Sequence, residues 1–193
     1  KLLASKNINK IYISSNNIAL KNRVEKLGCS FIKRKDSYCN NKVPWSDMIA
    51  HTIQSIPEKD NTTIAWCHTT CPLFDSYDLA LNKYKHDKKN NKSDGLVVVS
   101  RISEFIVSER KQPLNYSWGP WHKYSQHLDK LYKITGSLFI AKKIDMINNR
   151  YVISKNPTLF EVSTLESMDI DTRYDFELAK LLLKNKKYLM SHA

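Results

Sequence analysis

The sequence predicts an α/β fold with a mostly parallel sheet flanked by helices, and three observations carry the prediction. Short apolar, β-rich runs alternate with segments of helical periodicity, the pattern of repeated strand–helix units. One run, "DGLVVVSRI" (94–102), is apolar almost without a break, as in a strand buried on both faces. With 193 residues the chain is long enough for one sizeable core, so a single domain over 1–193 is expected.

The elements follow in order. "KIYISS" (10–15) is a short strand, and "NIALKNRVEKLG" (17–28) places Ile18, Leu20, Val24 and Leu27 at helical spacing, with Gly28 as the residue that ends the helix. "CSFIK" (29–33) is a second strand. "PWSDMIAHTIQSI" (44–56) gathers Trp45, Met48, Ile49, Thr52, Ile53 and Ile56 on one side of a helix. "TTIAWCH" (62–68) reads as a buried strand and "DSYDLALNKY" (75–84) as a helix. "KYKHDKKNNKSD" (83–94) reads as a surface loop of biased composition. "GSLFIAKKIDMI" (136–147) returns to strand plus helix, "LFEVST" (159–164) is a last strand, and "DTRYDFELAKLLLKN" (171–185) is a closing amphipathic helix. The stretch from Ile106 to Lys133 breaks this rhythm. It is aromatic, polar and Pro/Gly-containing, and such a long loop in a compact domain is usually functional, so 106–135 is expected to be a lid or a dimer contact.

Bulk properties narrow the classes. Apolar content of 41% is ordinary for a globular protein, and no apolar run approaches the roughly 18 residues of a membrane span. "KLLASKNINKIYISS" lacks signal-peptide architecture and an initiator Met, and its start reads as the last turn of a helix entering a strand. The chain is therefore expected to begin inside a domain, and to be cytoplasmic. A net charge of +12 favours anionic partners. Lysine outweighs arginine, and no nucleic-acid-binding signature is present, so phosphorylated small molecules are expected and nucleic acid and membrane are not. Cys67 and Cys71 flank "HTT" at a spacing that is not a zinc pair, and all four cysteines (Cys29, Cys39, Cys67, Cys71) are read as reduced thiols.

In a mostly parallel sheet, ligands bind beyond the carboxyl ends of the strands, which puts "SSNN", "KRKD" and "HTTCPLF" on the functional rim. In "HTTCPLF", Pro72 cannot serve a central ladder, so the strand stops and His68, Thr69 and Thr70 project at the rim, as a ligand site or as a capped loop. "SWGPWHKYSQHLDKLYKITG" (117–136) sets His122, Lys123, Gln126, His127 and Lys133 among Trp118 and Trp121. Such donors between aromatic walls suit an anionic, hydroxylated ligand, and equally a packed surface loop. In "ESMDIDTRYDF", Asp169 and Asp171 fall on one side of an extended segment with no basic residue between them, an arrangement that suits Mg²⁺. The same stretch also reads as a helix start, with Asp171 or Thr172 as N-cap and Asp175 in the first turn.

"KIYISSNN", "KLGCSFIKRKD", "TTIAWCHTTCPLF", "LYKITGSLFI" and "ESMDIDTRYDFELA" stand in an order that resembles the cytidylyltransferases that make CMP-activated acidic sugars. The likeness is to acylneuraminate cytidylyltransferases (CMP-sialic acid synthetases), with CMP-Kdo synthetases more distant, and it spans nearly the whole chain. It implies a Rossmann-like nucleotidyltransferase fold in which a sugar hydroxyl attacks the α-phosphate of CTP and pyrophosphate leaves, with Mg²⁺ neutralising the phosphates. It implies surface-glycan synthesis as the role and a homodimer as the assembly. By resemblance, Ser15, Asn16 and Arg34 lie at the nucleotide, and His68, Thr70, Gln126 and Lys133 lie at the sugar. Asp169 and Asp171 match the "DIDT" pair that ligates the metal and serves catalysis. The departures are a missing "ARxxSKGxxxKN"-type nucleotide loop, "SSNN" for "STDD", Phe74 where relatives carry arginine, and Lys133 where many carry arginine. They frame an alternative: a catalytically inactive binding or partner module on the same fold.

Overall fold

The computed structural model describes residues 1–185. It has the α/β architecture that the alternation predicts. Strand β1 (Tyr12–Ser15) pairs in parallel with β2 (Ser30–Lys33), with Ser15 opposite Lys33. Between them, a 3-10 turn (Ile18–Leu20) is capped by the Asn17 side chain, which accepts from the Ala19 amide at 3.1 Å, and leads into α1 (Lys21–Lys26). This helix is shorter than the periodicity suggests. Gly28, at φ +76°, ends it in the left-handed conformation that favours glycine.

Helix α2 (Trp45–Gln54) buries Ile49, Thr52 and Ile53, the stripe its spacing predicts, and it packs against α4 (Lys143–Asn149). Strand β3 (Thr63–Trp66) runs antiparallel to the end of β5 (Leu131–Lys142), so this pair departs from the parallel pattern. Strands β4 (Gly95–Ile102) and β6 (Pro157–Val162) complete a four-stranded sheet in the order β3-β5-β4-β6. The first six residues of β4 are buried, as its unbroken apolar run requires.

Helix α3 (Tyr77–Lys89) overturns one expectation. Residues 83–89, read as a loop from their lysine bias, are its last two turns. Ala80, Leu81, Tyr84 and Asp87 recur at helical spacing on the buried face, and the lysines occupy the outer side. Asp87 is held by Lys83 one turn earlier (2.9 Å) and by the Thr158 hydroxyl (2.7 Å). Basic residues in the last turn also complement the helix dipole. Strand β5 likewise begins earlier than "GSLFI" suggests, so residues 131–135 belong to a strand.

The chain forms two compact units. The first contains Lys1–Cys67, Asp75–Val97 and Leu138–Thr158, and its core includes Ile49, Ile53, Tyr84, Val97, Ile140 and Met146. The second contains His68–Phe74, Val98–Ser137 and the described residues from Leu159 on, and its core includes Leu73, Phe74, Val98, Val99 and Leu128. Phe74 is fully buried, so the aromatic ring at the position where the resemblance implies an arginine serves packing. In the second unit α5 (Arg173–Lys184) starts at Thr172, whose hydroxyl accepts from the Asp175 amide while the Asp175 carboxylate accepts from the Thr172 amide.

Candidate functional site

Within the first unit, the ends of β1 and β2 open onto a cleft of about 840 Å³, inside the usual range for small-ligand sites. Arg34 and Asn16 line it with Tyr38, Trp45 and Met48, and Asn40, Asn41 and Lys42 add amide and ammonium groups. The parallel pairing continues one step past the strands, because the Arg34 amide donates to the Ser15 carbonyl at 3.0 Å. The Ser15 hydroxyl accepts from the Asn17 amide (3.1 Å), and the Asn16 amide group donates to Asp36 (3.2 Å). The three residues assigned to the nucleotide are therefore neighbours at one rim.

Arg34 is the unusual member. Its guanidinium meets the Met48 sulfur at 3.5 Å, and its Nε is buried with no hydrogen-bond partner among the described residues. No carboxylate among the described residues forms an ion pair with it. A buried donor without a partner is costly, and with no carboxylate ion-paired to it the guanidinium keeps a charge that an anionic ligand would complement. Nearby, His51 stacks on Tyr38 (centroids 4.1 Å apart, planes 6° apart). Burial, and then the charges of Lys35 and Arg34, push the His51 imidazole below its ordinary pKa, so it stays neutral.

The second unit holds the other candidates. The segment after β3 carries His68 and Thr70, and its backbone is tied at two points. The His68 amide donates to the Gly136 carbonyl at 3.0 Å, and the Thr70 carbonyl accepts from the Ile170 amide at 2.9 Å. The second bond fixes the middle residue of the Asp169–Ile170–Asp171 stretch to the His68–Thr70 rim. Asp169 is half-buried, and its carboxylate also accepts from the Ile170 amide at 3.0 Å. Asp171 is exposed, and its own amide donates to Asp175 at 3.2 Å. Thr172, not Asp171, caps α5, so both aspartates keep their carboxylates out of the helix cap.

Lys133 and Gln126 differ from this group. Lys133 is an exposed residue of β5, and its charge reaches Asp175, whose carboxyl is held below its ordinary pKa first by the Thr172 hydroxyl and amide. Gln126 is exposed on the 3-10 turn Ser125–His127, and no hydrogen bond among the described residues joins it to His68, Thr70 or Asp169. It lies in the aromatic arm, where Phe105 stacks on His122 (4.8 Å) and meets Tyr116 edge-on (5.1 Å). The arm is anchored by Asn115, which is fully buried. Its amide group donates to the Glu104 carbonyl (2.8 Å) and its side-chain oxygen accepts from the Ile106 amide (2.9 Å).

Asp169 and Asp171 fit a hard divalent cation by the chemistry of their donors. Both offer carboxylate oxygens, and no lysine or arginine among the described residues pairs with either. Among the described residues no group of three or more His, Cys, Asp or Glu side chains converges, so the pair would share the ion with ligand oxygens. The four cysteines are free thiols, with Cys29 and Cys71 buried.

Three features of the site escape the sequence patterns. The 35–44 segment supplies much of the cleft wall, and its only local signals are the Asn40–Asn41 turn and Pro44 before α2. Gly136 lies against the site: a Cβ there would come within 2.6 Å of the His68 Nδ1 and 3.3 Å of the Cys71 sulfur. A glycine inside a strand pattern is the signal that marks such an approach. Cys71 and Ser137 are both buried in the same unit, Cys71 beside Gly136.

No protein family matches the sequence, and no curated protein does. Solved structures match the fold. A CMP:2-keto-3-deoxy-manno-octonic acid synthetase complexed with CTP superposes with a TM-score of 0.63 at 12% identity, over 96% of this chain and 85% of that one. A 4-diphosphocytidyl-2C-methyl-D-erythritol synthase gives 0.63 at 10% identity, over 94% and 84%. The Francisella tularensis 2-C-methyl-D-erythritol 4-phosphate cytidylyltransferase gives 0.60 at 12%, over 93% and 83%. The chain thus has the α/β nucleotidyltransferase fold found in these cytidylyltransferases. No helix among the described residues is long and apolar enough to cross a membrane.

Proposed function

We propose that the protein is a CTP-dependent cytidylyltransferase that transfers CMP to an acidic, sialic-acid-like sugar and releases pyrophosphate, in the service of surface-glycan synthesis. The observation that carries this reading is the 2.9 Å bond from the Ile170 amide to the Thr70 carbonyl, which joins the carboxylate pair to the polar rim after β3. The fold shared with solved cytidylyltransferases and the unpaired Arg34 in its cleft support it.

In this reading Arg34, Asn16 and Ser15 hold the nucleotide, and Arg34 supplies the fork that suits phosphate or carbonyl oxygens. His68 and Thr70 orient the sugar hydroxyls, and Gln126 and Lys133 contribute donors, Lys133 as a point charge toward the sugar carboxylate. The sugar hydroxyl oxygen forms the new bond to the α-phosphorus. The bond from that phosphorus to the pyrophosphate oxygen breaks, and the hydroxyl proton leaves to solvent. Asp169 and Asp171 would hold Mg²⁺, which supplies charge neutralisation of the phosphates. The protein's own contribution is positioning. We further assign it a homodimeric assembly.

The test is pyrophosphate release by the full-length protein with CTP and a panel of sugars. Release with CTP and 2-keto-3-deoxy sugar acids, and not with neutral sugars, is the expected result. Release that ignores the sugar carboxylate would contradict the substrate class.

A further inference from the structure

We infer that Met48 is a positioning residue for Arg34: its sulfur accepts a hydrogen bond from the guanidinium and sets the direction in which the arginine offers its free end to an anion in the cleft. The inference rests on the reading of Arg34 as a nucleotide ligand and adds a residue to it.

The geometry is local to the first unit. Arg34 is held at both ends. Its amide donates to the Ser15 carbonyl at 3.0 Å, at the end of β1, and its Nη1 donates to the sulfur of Met48, on α2, at 3.5 Å. The side chain therefore spans from the strand rim to the helix. The sulfur is itself fixed, because the hydroxyl of Thr52, one turn later, donates to it at 3.6 Å. Thr52 is 6% exposed, and Ile49 and Ile53, fully buried on the same helix, anchor it to the core. Helical spacing groups Met48 with these core residues, yet it is half-buried and lines the cleft together with Arg34. With Nε buried and Nη1 on the sulfur, Nη2 is the end of the fork left for a ligand.

The chemistry of a thioether suits the role. Its sulfur is a weak acceptor and carries no charge, so it orients the guanidinium without neutralising it. A carboxylate in its place would form the bidentate pair that arginine favours, and would compete with an anionic ligand for the same donors. The unbranched methionine side chain adapts its path to the gap between helix and arginine. A fork already held in place loses less freedom when the ligand arrives, which favours binding. One hydrogen bond to a weak, neutral acceptor contributes modestly, so its removal should cost less affinity than removal of Arg34 itself.

CTP is the probe, titrated by calorimetry into the full-length protein, with thermal unfolding of each variant as a control. Met48→Leu keeps the volume and removes the acceptor, and is expected to weaken CTP binding by about fivefold. Met48→Gln offers a neutral oxygen acceptor at similar reach and is expected to stay within about twofold of the parent. Added to Arg34→Gln, Met48→Leu is expected to cause no further loss, because a residue that acts through another is not additive with it. The Arg34 Nε–H resonance in NMR reads the orientation without ligand: it should be slow to exchange in the parent and in Met48→Gln, and broadened or lost in Met48→Leu. Met48→Ile replaces the leucine variant if that one does not fold. Equal affinity in Met48→Leu and the parent, equal weakening in Met48→Gln and Met48→Leu, or the same loss from Met48→Leu with and without Arg34→Gln overturns the positioning role while leaving the nucleotide reading intact. An Nε–H resonance that Met48→Leu leaves unaltered overturns it as well. CTP binding that survives Arg34→Gln unchanged overturns the nucleotide reading of Arg34, and the positioning role with it.

Discussion

The cleft beside Arg34 and the cluster around Asp169 solve the same problem in opposite ways. The cleft is open, about 840 Å³, and its walls come largely from the irregular 35–44 segment. Its cation has an unsatisfied buried Nε. The cluster is closed down. Two backbone bonds, at 3.0 and 2.9 Å, pin the His68–Thr70 rim, and one of its walls is a strand with no room for a side chain at Gly136. Preorganisation is thus concentrated where the carboxylates sit, and the cleft carries an arginine whose Nε has no hydrogen-bond partner among the described residues.

Substitution at Gly136 is the strongest way to break that comparison. Gly136→Ala places a methyl within 2.6 Å of the His68 ring, and overpacking of this kind costs about 1–3 kcal/mol. Chemical denaturation should report that loss, together with a raised KM for the sugar. A variant as stable as the parent would show that the cluster has slack. At the cleft the effect should fall on binding alone. Arg34→Gln removes charge-assisted hydrogen bonds and is expected to weaken CTP binding about tenfold or more, by calorimetry, with little change in unfolding temperature. An unchanged Kd would separate Arg34 from the nucleotide.

Acidification sharpens the contrast, because each region carries a group whose pKa is lowered by folding. His51 is disfavoured as a cation in the folded state, so its contribution is complete above its ordinary pKa of 6.5 and fades as pH falls from there toward its lower folded value. Asp175, lowered from 3.8 by the α5 cap, contributes above that value and fades only below it. Hydrogen-exchange protection factors, corrected for the intrinsic pH dependence of exchange, should therefore fall in α2 first, as pH drops below 6.5, while the start of α5 stays protected until below 3.8. Loss of protection in the reverse order would contradict the assignment. The smallest effect is spectroscopic. CTP placed beside Lys35 and Arg34 would offset their charges, and the His51 pKa should rise, read from imidazole NMR shifts. No movement on saturation with CTP would place the nucleotide elsewhere.

Much of this was legible in residue patterns, and the gaps have physical causes. The unbroken apolar run of β4 and the buried stripe of α2 gave their burial away, because both faces of one and one face of the other had to leave water. The end of α3 did not, since its lysines mask an inward face that only Tyr84 and Asp87 mark, and Asp87 is a charge whose partner Thr158 lies 71 residues away. The carboxylate pair was visible as spacing, yet its attachment to Thr70 is a backbone bond across 100 residues, which no local pattern encodes. Cys71 reads as an ordinary small residue until the fold buries it beside Gly136. Phe74 shows the converse: a position that resemblance marks as functional is filled by a core side chain.

The central claim is that the carboxylates joined to the rim after β3 serve cytidylyl transfer. Pyrophosphate release from CTP in the presence of a 2-keto-3-deoxy sugar acid, measured on the full-length protein and on Asp171→Ala, tests it most directly. The account predicts release by the parent and a loss of about a hundredfold or more in the variant, the scale of removing a group that stabilises transition-state charge. Equal turnover by the two proteins would contradict it.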